Sequence, residues 1–207
     1  MARYTGPVCR ICRRYGEKLM LKGDKCVTKC TLDKRPTPPG PQQARRRKLS
    51  DRAVQLREKQ KARHSYGVLE KQFVRYYEEA VRLPGVTGDN LVRLLEMRLD
   101  NVVHKLGFGD SPKQARQVVR HGHIMLNGRK TDIPSAATKA GDVIGWVASS
   151  KNTEYFKIAQ LSMTSKRTPA WLNVDATQMT GRIISPPVIS ETGGKFDPAV
   201  IVEYYSR

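Results

Sequence analysis

The clearest pattern of apolar and polar positions in this chain lies between residues 91 and 106. Apolar side chains recur there every three or four residues, as on the buried face of an α-helix. They are Leu91, Leu94, Leu95, Leu99, Val102, Val103 and Leu106. Gly107 follows directly and is typical of a helix end. The pattern predicts one amphipathic helix that buries one face and stops near Gly107.

Cap and turn residues predict a second helix and a hairpin directly afterwards. Ser111 is a favourable N-cap, and Pro112 suits the first position of a helix. Two short segments, 124–126 and 129–131, then flank Asn127-Gly128. This dipeptide tolerates the positive φ angles of a two-residue turn. We therefore expect two helices and a tight β-hairpin in close succession.

Two further amphipathic helices are predicted earlier in the chain. Ser50 would cap a helix that runs to about His64. A second would run from about Leu69 to Leu83, where Pro84-Gly85 stops it. One face of the second helix carries the aromatic and small residues expected to pack in a core: Phe73, Tyr77 and Ala80.

The last third of the chain has the pattern of a mostly β-structured region. Residues 142–147 are typical of a buried strand, and residues 154–162 of a short helix. Residues 171–174, 182–184 and 200–204 are rich in β-branched and aromatic side chains and are predicted as further strands.

Together these elements predict an α+β chain in three parts. Residues 1–48 would hold a four-cysteine metal segment and a basic, Pro-rich extended arm. Residues 49–96 would form a helical domain, against which the C-terminal residues 196–207 could pack. Residues 97–195 would form an α/β domain.

Charge is concentrated towards the N-terminus. The 38 Lys and Arg against 19 Asp and Glu give a formal net charge of +19. Residues 1–65 hold 19 basic and 5 acidic side chains, a net of +14, and residues 66–207 hold 19 and 14, a net of +5. This excess predicts association with a polyanion.

No run approaches the roughly 18–20 apolar residues of a membrane span, and an apolar signal is absent, so we expect a cytoplasmic protein with no membrane partner.

The second predicted helix and the hairpin carry a local cluster of cations. Lys113, Arg116 and Arg120 are spaced three and four residues apart, away from the apolar side of the helix. The hairpin would place Arg129 and Lys130 beside them. Residues 111–130 contain five Lys or Arg and no Asp or Glu. We interpret this face as an RNA-binding surface, not an ordinary solvated one, because its cations do not alternate with acids.

The four cysteines lie within the first 30 residues, at Cys9, Cys12, Cys26 and Cys30. A C-x2-C pair, a gap of 13 residues and a C-x3-C pair suit tetrahedral thiolate ligation of a structural zinc ion. Free or redox-active thiols are an alternative, and an iron–sulfur cluster fits the spacing too. A metal would fold this small segment and orient its basic residues towards RNA. Those residues are Arg10, Arg13, Arg14, Lys22 and Lys25.

The segment from Arg98 to Lys130 resembles the S-four RNA-binding module, within the predicted module range 97–158. The whole chain resembles the bacterial small-subunit ribosomal protein number four family. The resemblance begins at residues 3–14, continues through 56–61 and 85–88, and ends at 203–207. Similar modules occur in tRNA synthetases, pseudouridine synthases and heat-shock RNA binders, but these flanking segments resemble only the ribosomal family.

The resemblance implies a structural component of the small ribosomal subunit that binds 16S rRNA directly and nucleates assembly of its 5′ domain. It also implies ribosomal protein number five as a partner in translational accuracy, other small-subunit proteins as neighbours, and mRNA nearby at the channel by which it enters. The module residues expected to contact RNA are Arg98, Lys113, Gln114, Arg116, Arg120, His121, His123, Arg129 and Lys130. Arg10, Arg13, Arg14, Arg45, Arg46, Arg47 and Lys48 complete the expected set, the last four on the mRNA side.

No enzymatic site and no small-molecule substrate are predicted. Glu78 and Glu79 are adjacent in a helix, so their side chains point about 100° apart and cannot act as a facing acid/base pair. His121 and His123 lack a further metal ligand nearby in sequence, so contact with RNA or backbone is the preferred interpretation. Two alternative functions remain: an RNA-modification or tRNA-related protein with the same module, and a zinc-cluster DNA-binding regulator.

Overall fold

The computed structural model describes residues 3–41, 48–163, 166–188 and 196–206. The chain divides into two compact units, one of Met1–Val92 with Gly194–Arg207 (unit 1) and one of Arg93–Gly193 (unit 2). Arg45, Arg46 and Arg47 lie outside the described residues, whereas Lys48 is described and exposed. Among the described residues, no helix combines the length and the apolarity that crossing a membrane requires.

Unit 1 is helical in its described parts. Its helices are α1 (Val8–Tyr15), α2 (Asp24–Thr28), α3 (Thr31–Lys34), α4 (Asp51–Ser65), α5 (Glu70–Arg82), α6 (Thr87–Glu96, which continues into unit 2) and α10 (Pro198–Tyr205). The predicted cap of α4 is confirmed, because Ser50 Oγ accepts a hydrogen bond from the Ala53 amide at 3.4 Å. The predicted core face of α5 is confirmed too, since Phe73 and Ala80 are fully buried.

The N-terminal segment rests on α4 through polar contacts. Tyr15 Oη lies 3.0 Å from His64 Nδ1, and Lys61 Nζ lies 3.2 Å from a Glu17 carboxylate oxygen. Arg57 also donates to the Tyr15 carbonyl. The segment has a small apolar cluster of its own, formed by Val8, Ile11, Cys12, Tyr15, Leu19 and Leu21.

The strand predicted over 200–204 is wrong, because this stretch belongs to α10. Asp197 Oδ1 accepts a hydrogen bond from the Ala199 amide at 2.8 Å, and Pro198 occupies the first turn. Tyr205 stacks on Tyr77 of α5, with ring centroids 4.6 Å apart. A short apolar run has no period that separates strand from helix, so the cap residues decide.

Unit 2 packs helices against a five-stranded antiparallel sheet. Its elements are α7 (Leu99–Lys105), α8 (Pro112–Arg120), β1 (Ile124–Leu126), β2 (Arg129–Lys130), β3 (Val143–Trp146), a 3₁₀ turn (Ala148–Asn152), α9 (Glu154–Met163), β4 (Leu172–Asp175) and β5 (Thr180–Ile183). The strand order in the sheet is β2-β1-β3-β5-β4. The core gathers apolar side chains from α7, α8, α9 and the sheet around Trp146, which is 1% exposed. This arrangement confirms the predicted α+β class.

The single helix predicted over 91–106 is two helices, α6 and α7, separated at Met97 and Arg98. Arg98 has extended backbone angles and forms an isolated β-bridge with Ala137. The Leu99 amide donates to the Ala136 carbonyl at 2.9 Å. Because apolar residues keep their helical spacing across the break, the sequence pattern does not locate it.

The predicted hairpin is confirmed. Asn127 and Gly128 have φ angles of 50° and 77°, as a two-residue turn requires. The strand register pairs Met125 with Lys130 and Leu126 with Arg129. The turn therefore holds the cations of β2 next to the strand that follows α8.

Candidate nucleic-acid interface

Helix α8 starts at the predicted cap. Ser111 Oγ accepts a hydrogen bond from the Gln114 amide at 3.3 Å. The Gln114 side chain returns to the start of the helix, where its Oε1 accepts from the Asp110 amide at 2.9 Å. Gln114, an expected RNA contact, thus stabilises the helix start, while Lys113 beside it is exposed.

Three side chains hold the loop that leads into α8. His104 Nδ1 lies 3.1 Å from the Gly109 carbonyl oxygen, and Tyr155 Oη donates to the Phe108 carbonyl at 2.8 Å. Lys166 Nζ donates to the Gly107 carbonyl at 2.9 Å. These hydrogen bonds hold the loop that precedes α8, and they therefore help to position the basic residues of this helix.

Burial makes His104 a source of pH-dependent stability. Burial lowers the pKa of its imidazole below the usual 6.5; Lys105 adds to the lowering, and the Gly109 carbonyl opposes it. The folded state thus favours the neutral imidazole. The stability that neutral His104 contributes is fully present above the pKa of the ring in the unfolded chain, and it is lost as the pH falls through the pKa of the ring in the folded chain. We expect the free energy of unfolding to decrease between about pH 7 and pH 5, and H104Q to weaken that decrease.

Urea unfolding of the full chain at a series of pH values measures this effect. Some pH dependence should persist in H104Q, because burial also lowers the pKa of His64 and of His123. An unchanged pH dependence in the variant would contradict the role of His104.

Two of the expected RNA contacts, Arg98 and Arg116, lie in the interior. Their side chains are 1% and 10% exposed, and both pair with Asp100. Arg98 donates from Nε to Oδ1 at 3.0 Å and from Nη2 to Oδ2 at 2.8 Å. Arg116 Nη1 donates to the same Oδ2 at 2.9 Å. The predicted exposed stripe is therefore wrong at Arg116, because a buried carboxylate must be paired and α8 turns this arginine towards it.

Two other cations, Arg120 and Lys130, converge on one open depression beside the hairpin, which we name the basic pocket. It has a volume of about 270 Å³ and is lined by Arg120, His121, Gly122, Lys130 and Asp132. Gly122 ends α8 at φ +72°, and a Cβ there would lie 2.5 Å from Lys130 Cε. Glycine at position 122 therefore permits the positive φ angle that ends the helix, and its lack of a Cβ leaves room for the Lys130 side chain beside the end of α8.

Two further module residues, His123 and Arg129, are next in sequence to residues that line this pocket. His123 is half-buried, and its Nδ1 lies 2.9 Å from Ser150 Oγ. Burial lowers the pKa of His123, with smaller contributions from His121 and Lys130. His121 and Arg129 are exposed. The structure thus brings His121 and Lys130 to one pocket, with the ring centroids of His121 and His123 6.0 Å apart.

The four cysteines also come together. Cys9, Cys12, Cys26 and Cys30 line one small cavity, next to Lys22 and Lys25. All four thiols are free, and the Lys22 amide lies 3.3 Å from Cys26 Sγ. Within the described ranges, however, no three Cys, His, Asp or Glu side chains are arranged to hold a metal ion. The structure therefore shows neighbouring thiols without a formed metal site.

The basic residues of the N-terminal segment differ in their surroundings. Arg10 and Arg14 are exposed. Arg13 donates from Nε to the Thr37 carbonyl at 2.9 Å, so it ties α1 to the Pro-rich stretch.

Sequence reasoning missed three residues of the interface: Asp100, Gly122 and Asp132. A glycine directly after a helical stretch is a recognisable helix-end signal, so Gly122 could have been found. The contacts of the two aspartates with α8 carry no local signal, because their partners on that helix are 16 and 12 residues away along the chain.

Comparison with known proteins shows the family of this chain. Residues 3–96 match the family model described as the ribosomal protein S4/S9 N-terminal domain, and residues 97–144 match the S4 domain. Over the full length of both chains, the sequence is 55% identical to the small ribosomal subunit protein uS4 of Dehalococcoides mccartyi. It is 53% identical to uS4A of Symbiobacterium thermophilum and 50% identical to uS4 of Pelotomaculum thermopropionicum, again with full coverage. The chain therefore belongs to the uS4 family of small ribosomal subunit proteins.

Proposed function

We propose that this chain is a non-catalytic component of the small ribosomal subunit and that it holds 16S rRNA through the basic pocket and the hairpin. The observation that carries this proposal is the convergence of Arg120, His121 and Lys130 around the end of α8, within the segment that matches the S4 domain. Arginine and lysine side chains are suitable partners for phosphate oxygens.

The shape of the site favours recognition of folded RNA over readout of base sequence. The pocket is open and polar, and folded RNA presents phosphates and 2′-hydroxyls across a shallow groove. The proposal extends to three further roles: nucleation of 5′-domain assembly, contact with ribosomal protein number five, and an influence on translational accuracy. It also includes the approach of mRNA near Lys48. Their support is the family membership of the chain.

Neither alternative function is favoured. An RNA-modification enzyme would need a catalytic domain beside the module, yet the two family models account for residues 3–144 and the uS4 relatives align over the whole chain. A DNA-binding regulator has no counterpart among these matches.

Removing two pocket cations should weaken the salt dependence of rRNA binding. Each lost phosphate contact lowers the slope of log K against log salt concentration by about 0.7–0.9. We therefore expect the R120A/K130A double variant to bind a 5′-domain transcript with a slope about 1.4–1.8 smaller than that of the wild type. Filter binding at several KCl concentrations measures the slope.

The matched control is K157A/R182A, which removes one lysine and one arginine that are exposed elsewhere in unit 2. Its slope should stay close to the wild-type value. Equal loss of slope in both double variants would show that general charge, and not the basic pocket, binds the RNA.

We also propose a structural zinc ion for the N-terminal segment. Four free thiols line one cavity, and the Lys22 amide lies within hydrogen-bonding distance of Cys26 Sγ, which suits a thiolate ligand set. Cys9, Cys12, Cys26 and Cys30 would hold the ion, and its binding would stabilise the fold of residues 8–34. Four protein ligands leave no open position, so the ion would have no catalytic role.

A further inference from the structure

One carboxylate lies in the otherwise cationic pocket. Asp132 Oδ2 is 3.3 Å from Arg120 Nη1, and the two side chains are 58% and 54% exposed. Residues 111–130 contain no acidic residue, so Asp132 is the first one after the hairpin. In the described part of the chain, it is also the only carboxylate that lines this pocket.

The position of Asp132 resembles that of a bound phosphate. A carboxylate and a phosphodiester both present anionic oxygens, and a guanidinium donates to either one. The Arg120–Asp132 pair is exposed to water and its hydrogen bond is long, so it is weak. An RNA phosphate can therefore take the place of Asp132 on Arg120 at little cost.

We propose that Asp132 is an internal competitor for the phosphate site of the basic pocket. It occupies Arg120 in the free protein and repels any polyanion that does not place a phosphate correctly in the pocket. This inference rests on the proposed function, because it assigns the pocket a backbone phosphate of RNA as its ligand. It makes Asp132 a specificity-determining residue, in which a like charge acts against wrong partners.

A double-mutant cycle tests the competition directly. The wild type, D132N, R120A and R120A/D132N are titrated with a 5′-domain transcript of 16S rRNA and with heparin, at a fixed ionic strength of about 0.1 M. We expect D132N to bind the transcript about two- to fivefold more tightly than the wild type, the range for loss of an exposed ion pair. Heparin should gain more than the transcript, so the preference for rRNA over heparin decreases. An equal gain for both polyanions would contradict the role of Asp132 in specificity. In the R120A background, the gain from D132N should fall to that of the control.

The control is E154Q, which removes one carboxylate from another exposed ion pair of unit 2, with Lys157 at 2.8 Å. Thermal unfolding of each variant checks that the fold is retained. An absent gain in D132N, or an equal gain with and without Arg120, overturns the inference. A wild type that binds the transcript no more tightly than heparin contradicts the proposed function itself, whatever the variants show.

Discussion

Replacement of Asp100 by Asn should lower the free energy of unfolding of unit 2 by about 3–5 kcal/mol, the usual cost of breaking a buried ion pair from one side. The substitution keeps the shape of the side chain but removes its charge. Arg98 and Arg116 would then lose their ion pairs with Asp100, and this carboxylate would no longer offset the cost of their burial.

Urea unfolding followed by tryptophan fluorescence measures this loss, because Trp146 and Trp171 are both buried in unit 2. D132N is the matched control, since it breaks an exposed ion pair of the same unit and should cost at most about 1 kcal/mol. Equal destabilisation by the two variants would contradict the structural role of the buried pair.

The position of Asp100 explains why this cost should affect binding as well. Its amide donates to the Pro134 carbonyl at 3.0 Å, and its carboxylate pairs with Arg116 of α8. One residue thus joins the start of α7, the middle of α8 and the chain that follows the hairpin. We infer that this junction holds Arg120 and Lys130 in place before RNA binds, which reduces the entropic cost of binding.

Removal of the proposed zinc ion should unfold the N-terminal segment while unit 2 stays folded. Structural zinc sites contribute about 10–16 kcal/mol of apparent binding free energy in small peptides, and such segments are unfolded without metal. We expect one equivalent of zinc per chain in the purified protein and its loss in C12S. Elemental analysis measures the metal, and limited proteolysis should show new cleavage within residues 8–34 after treatment with a chelator.

V27S is the control for the cysteine variant, because Val27 is exposed and adjacent to Cys26. It should keep its zinc and its resistance to protease. Full-length protein that is purified under reducing conditions and contains no zinc would contradict the metal site. Disulfides found by mass spectrometry in the native protein would favour redox-active thiols, and bound iron would favour a cluster.

Several elements could be predicted because their signals are local. Ser50 and Ser111 cap helices through their own side chains, and Asn127-Gly128 forms a turn from its own backbone preferences. Residues 200–204 are the counterexample: their apolar content suggested a strand, while Asp197 and Pro198 just before them start a helix. Cap residues were the stronger signal there.

The candidate site was predicted only in part. Arg120, His121, Arg129 and Lys130 are exposed around the hairpin as expected. Arg98 and Arg116 carry the same charge and lie in the same motif, yet they are buried. Helical spacing predicts which residues share a face of a helix. It does not predict whether an acidic side chain from another element packs against that face and forms an ion pair there.

Residue identity and short-range spacing are enough to predict the family, the excess of positive charge, the caps, the hairpin turn and the clustering of cysteines. The folded chain is needed to tell which cations are exposed and which are paired in the core. It is also needed to locate the break between α6 and α7 and to place Asp132 in the basic pocket. These features depend on contacts between residues far apart in the chain, and such contacts exist only once the chain has folded.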